Sequence, residues 1–155
     1  MKSMATLDEV YRKFGEVSEA AQLLETELGN FLLCVHGAEH DLFCGDKPEL
    51  ATEILEKINR STLGQVLKQV GSSAKFPVPL DRLFADALAE RNRLAHHFYR
   101  EHNFRRNTDE GRAKMIEDLE TMHETILKAY QAALALSGID LHKSVVPLPT
   151  KHQRI

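Results

Sequence analysis

Cysteine is nearly absent: Cys34 and Cys44 are the only two in 155 residues. A disulfide-stapled secreted scaffold is therefore not the expected architecture. No apolar run at the N-terminus resembles a signal peptide, and no stretch approaches the roughly 18 apolar residues that span a bilayer. A reducing cytoplasm and no membrane association are expected. Internal repeats, low-complexity tracts and convincing strand alternation are also missing. Nor is there a global excess of basic residues, since the formal net charge is −3. There is thus no global basic signature of a nucleic-acid binder, and a general electrostatic grip on DNA would need more.

What the chain does contain is ordinary in bulk. Hydrophobic residues make up 43% and charged residues 28%, the balance of a chain that can bury one core without a metal or disulfide. One helical domain is expected over residues 1–138. A loosely ordered tail, 139–155, carries Pro147 and Pro149. The even average hides an uneven distribution. Segment 91–106 holds five arginines and one acid, Glu101, for a charge of +4, so the other 139 residues carry −7. A local basic patch on an acidic body suits a confined anion site.

Helical periodicity runs through most of the chain. Leu7, Val10, Phe14, Val17, Ala21, Leu24, Leu28, Phe31 and Val35 step alternately by three and four, predicting a long helix over about 6–36 that packs along a partner. "GAEHDLFCGDK" (37–47) should interrupt it. Pro48 opens a second helix to about residue 59, and Ser61 or Thr62 can cap a short third one. "GSSAKFPVP" (71–79) reads as a loop. A further helix begins near Leu80, and the polar stretch 101–111 should connect it to a last helix. Thr108 followed by Asp109 and Glu110 marks that helix's start, and Gly138 its end. The fold class expected is all-α, an up-and-down bundle of four to five helices.

The helix from Leu80 ends in "ERNRLAHHFYRE" (90–101), where five of twelve residues are Arg or His. At about 100° per residue, Leu80, Leu83, Phe84, Ala87, Leu88, Leu94, Ala95 and Phe98 share one core-facing sector. Arg91 falls within it. A guanidinium there must meet an acid, backbone carbonyls or an anionic ligand. Asn92, His96 and Tyr99 lie together on one flank beside Ala85 and Ala89, small residues that permit close approach by another helix. His97 faces elsewhere, near Arg93. Spacing alone also fits solvated residues and ordinary structural bonds.

"RNRLAH" (91–96) resembles the signature of HEPN domains, a superfamily of helical RNases and toxins: an arginine, a polar residue often Asn, three more residues, then histidine. The order of elements, with the motif on a late helix before a final one, is similar over roughly 6–137. Only about six residues are specific. Tyr99 stands three after His96 and two after His97, so the register could slide to His97; facing and Asn92 favour His96. The resemblance implies a metal-independent endoribonuclease with no cofactor, its site built across a homodimer. Arg91, Asn92 and His96 would be catalytic, with His97 and Tyr99 as further catalytic or modified residues. Arg93, Arg100, Arg105 and Arg106 would guide RNA. A toxin with a nucleotidyltransferase-like antitoxin, or a phage-defence component, is the implied context.

Two other classes compete. A non-catalytic HEPN-like module could bind RNA, nucleotide or protein through the same patch, and a plain interaction bundle could use the heptad seam. "CVHGAEHDLFC" gathers Cys34, His36, His40 and Cys44, but the thiols lack a C-x-x-C knuckle and two glycines weaken the helix, so no metal is expected. Gly64 reads as a packing contact. His102 and His123 show no evident partners.

Overall fold

A computed structural model describes residues 4–39, 48–60, 64–65, 67–68 and 78–136. Among them every element is helical and none is a strand. The chain is an all-α helical bundle.

The first helix, α1 (Leu7–Glu39), starts where Thr6 Oγ1 accepts the backbone N–H of Glu9 at 3.1 Å, with Asp8 and Glu9 in the first turn. A side-chain cap and acids at the positive end of the dipole both favour this start. Its buried stripe is Val10, Val17, Ala20, Ala21, Leu24, Leu28 and Leu32, while Leu7, Phe14 and Phe31 are only half-buried. The strict heptad seam therefore drifts by one residue at its far end, from Phe31 to Leu32. A straight helix of 3.6 residues per turn requires this drift. Of the interruption expected over 37–47, residues 37–39 still belong to the helix, which continues to Glu39, and residues 40–47 lie outside the described residues. A single helical glycine costs only about 1 kcal/mol relative to alanine, too little to end an established ladder.

Helix α2 (Pro48–Arg60) packs against α1. Residues 64–65 and 67–68 are helical; the expected caps Ser61 and Thr62, the glycine end-stop Gly138 and the tail 139–155 lie outside the described residues. Helix α3 (Val78–His96) begins two residues before Leu80, with Pro79 in its first turn, where a missing N–H is harmless. It is followed by a short α4 (Phe98–His102), a 3-10 turn (Asn103–Asn107) and α5 (Asp109–Leu136). The stretch expected to be a simple polar connection thus keeps helical geometry through most of its length. Thr108 caps α5 as its sequence predicts, Oγ1 accepting Gly111 N–H at 3.0 Å.

The core lies mainly between α1 and α5, and α3 closes over α5. Phe84, Ala87 and Leu94 of α3 meet Met115, Leu119, Met122 and Ile126 of α5 in one buried cluster. Ala95, at the edge of the predicted apolar sector, is exposed instead. No described helix is long and apolar enough to cross a membrane.

Candidate active site

The motif helix does not run on through Tyr99. His97 leaves the helical region, with φ −129° and ψ −20°, although its N–H still reaches Arg93 O at 2.9 Å and its O accepts Glu101 N–H at 2.8 Å. Packing explains the break. Phe98 is fully buried with its ring 5.7 Å from Phe14, and Tyr99 lies 5.1 Å from the same Phe14 ring. Consecutive residues of an ideal helix point about 100° apart. The rotation at His97 lets both rings meet one residue of α1. The expectation that Tyr99 shares a flank with Asn92 and His96 assumed an unbroken helix, which the chain does not keep at His97. Tyr99 instead sits edge-on to Tyr11, 6.4 Å away, and burial, followed by the neighbouring Tyr11, pushes its phenol pKa up.

Asn92 and His96 remain exposed one turn apart, on the same face as exposed Ala85 and Ala89. His97 is exposed too, its ring 6.3 Å from that of His96. Of the acid, backbone carbonyls or anionic ligand expected for Arg91, the structure supplies an acid. Its Nε–H donates to Glu25 Oε1 of α1 at 3.0 Å, and Nη1 donates to Asn92 Oδ1 at 3.2 Å. Both partners are about 30% exposed as side chains, so this anchor is semi-solvated and contributes at most about 1 kcal/mol. The remaining guanidinium donors are not used in these bonds.

Arg93, which the resemblance implies guides RNA, is engaged within the fold. Its guanidinium turns to α5 and forms two parallel bonds to Asp118, at 2.8 and 2.6 Å, with Glu90 at 2.9 Å and Glu101 at 3.1 Å completing the ring of acids. Those bonds push the arginine's pKa further up and hold the Asp118 carboxyl below the ordinary carboxylate range, the Arg93 bond being the largest cause. An arginine so committed has little left for an RNA phosphate.

His102, which shows no partner in the sequence, is a central member of the same cluster. It is buried, and its Nε2 lies 2.7 Å from Asp118 Oδ2 while Arg105 Nη1 lies 3.0 Å from its Nδ1. Arginine can only donate, so Nδ1 accepts and Nε2–H donates to Asp118. His102 thus links Arg105 to the carboxylate through its two ring nitrogens. An open hollow of about 380 Å³ over this cluster is edged by Lys114, Glu117 and Thr121. His123 also acquires a partner: Lys13 Nζ donates to its Nδ1 at 3.1 Å.

Of the other arginines, Arg106 donates to Tyr11 Oη at 3.1 Å, and Arg100 is exposed with no described carboxylate paired to it. Sequence reasoning missed Glu25, His102 and Asp118. The available signal for Asp118 was weak, an acid on the predicted last helix with nothing to say which basic residue it faces. The side chains of the Cys34, His36, His40 and Cys44 constellation are outside those described. Compared with known protein families, curated proteins and solved structures, the chain matches none.

Proposed function

We propose that this protein is a metal-independent endoribonuclease of HEPN type that cuts RNA at a site shared by two copies of the chain. The observation that supports it is the display of Asn92 and His96 on one exposed face, beside an Arg91 anchored to Glu25. The small exposed residues Ala85 and Ala89 on that face leave room for a second motif helix to approach. In the paired site one histidine removes the proton of a 2′-hydroxyl, which attacks the adjacent phosphate. The second histidine protonates the departing 5′-oxygen. Arg91 stabilises the charge that builds on the phosphorane, and Asn92 orients phosphate or imidazole. The products are a 2′,3′-cyclic phosphate and a free 5′-hydroxyl. A toxin role, held in check by a nucleotidyltransferase-like antitoxin, or a role in phage defence would employ this activity in the cytoplasm.

The Arg91–Glu25 pair favours a second reading, a non-catalytic HEPN-like module that binds RNA, nucleotide or protein, because an acid already occupies part of the arginine's fork. Purified protein in EDTA separates the two. Wild type should cleave RNA to 2′,3′-cyclic ends, and Arg91→Ala and His96→Ala should lose cleavage while keeping the wild-type helical signal. RNA binding without cleavage would sink the nuclease reading. Loss in His97→Ala but not in His96→Ala would move the motif histidine by one position.

A further inference from the structure

The most exposed large apolar side chain among the described residues is Phe104, at 75%. It sits within the 3-10 turn, between α4 and α5, in the most arginine-rich part of the chain. An aromatic ring left in water on a loose loop would carry no meaning, since single exposed apolar residues are common. This turn is not loose. Gly111 of α5 lies so close to it that a Cβ there would stand 2.6 Å from Arg105 Cα. Arg112 donates to the Arg106 carbonyl at 2.9 Å and to the Ala5 carbonyl at 2.7 Å, tying the turn to the start of α1. Arg105 is tethered to His102 at 3.0 Å. Just before Phe104, Asn103 holds φ at +46°, the one non-glycine residue described with positive φ. Such backbone is unfavourable and persists only where surrounding contacts impose it. The fold therefore holds an aromatic ring in solvent on a pinned, strained turn.

Its surroundings supply the charge. Arg100 and Arg106 are exposed on either side in sequence, and Arg106 contacts Tyr11, whose ring meets that of Tyr99. Tyr11 and Tyr99 are themselves 46% and 40% exposed. Exposed aromatic faces interleaved with arginines that no described carboxylate neutralises match the chemistry of an unpaired strand, whose bases stack while its phosphates are neutralised. A duplex keeps its bases stacked on one another and offers no face to such a ring.

We infer that the turn Asn103–Asn107 is a docking surface for single-stranded RNA, with a base stacked on Phe104 and flanking phosphates on Arg100 and Arg106. The choice of RNA rests on the nuclease reading above; the preference for an unpaired strand rests on the surface itself. Base–aromatic stacking typically corresponds to a loss of about tenfold in affinity on truncation.

The test uses a fully 2′-O-methylated single strand, which lacks the attacking hydroxyl and stays intact whatever the catalytic outcome. Fluorescence anisotropy should show binding about tenfold weaker for Phe104→Ala and for Phe104→Leu, and near wild type for Phe104→Tyr. A duplex of equal length should bind more weakly and be insensitive to all three. Thermal melts check that the exposed substitutions leave the fold intact. Unchanged affinity in Phe104→Ala overturns the inference, as does an equal loss on duplex or in Phe104→Tyr. Cleavage of ordinary RNA by His96→Ala would refute the catalytic assignment and leave this result standing, so the two failures are distinguishable.

Discussion

Arg93 of α3 and Asp118 of α5 face each other in a two-pronged ion pair, with Nη1 to Oδ2 at 2.8 Å and Nη2 to Oδ1 at 2.6 Å. The pair ties the motif-bearing helix to α5, the helix it packs on most extensively, three residues before His96. Parallel bonds of this kind fix orientation as well as distance. Arg93 thereby acts as the hinge-pin of the site's scaffold, and the neighbouring Arg91 is the arginine left with donors to offer.

Asp118→Asn should remove one charge-assisted contact to Arg93 and the acceptor of His102. A loss of about 2 kcal/mol at neutral pH is expected in chemical denaturation. The pH dependence has a definite sign. Because the folded Asp118 carboxyl titrates below its unfolded value, its stabilisation is fully present above the ordinary carboxylate pKa of about 3.9 and is lost as pH falls through the folded value. The gap between wild type and variant should be constant from neutral pH down to about pH 5 and narrow only below about pH 4. A gap that persisted at acid pH would mean that Asp118's charge is not what stabilises.

Phe98 converts the break at His97 into an anchor. It is 1% exposed, with Phe14 at 5.7 Å and the His102 ring at 4.6 Å. Phe98→Ala should cost about 3–5 kcal/mol, while Phe98→Leu should retain most of the stability. Both are read from urea midpoints. A near-neutral alanine variant would show that α4 is held by the Arg93 cluster alone.

Gly111→Ala introduces a Cβ against the backbone of Arg105 rather than against a movable side chain. Overpacking of this sort costs about 1–3 kcal/mol. A melting temperature several degrees lower is expected, together with faster amide exchange at Arg105 and Arg106. A variant as stable as wild type would mean that the turn can shift freely, which would also weaken its role as a rigid platform.

Glu25→Gln separates positioning from folding at the proposed catalytic arginine. Its semi-exposed pair with Arg91 makes a stability change under about 1 kcal/mol the expected result. With the tether weakened, kcat for RNA cleavage should fall about tenfold while KM stays level or drops, the signature of an interaction used after binding. A rise in kcat would show instead that Glu25 competes with the phosphate.

The sequence by itself determined the elements. Alternating steps of three and four residues located α1, Thr108 with its following acids located the start of α5, and the placement of Arg91 in an apolar sector called for an acid, backbone carbonyls or an anionic ligand, of which Glu25 is the acid. These features are local or follow one helix axis, so periodicity can read them. Tertiary structure alone decided which charges meet. Asp118 and His102 belong to different elements, and polar residues on a helix carry no mark of the partner they will face. It also decided the break at His97, where burying Phe98 and seating Tyr99 on Phe14 outweigh one regular helical turn. For the same reason Arg93 and Arg91, two positions apart and alike as letters, take different roles: one faces the acids of α5, the other the edge of α1 and the solvent.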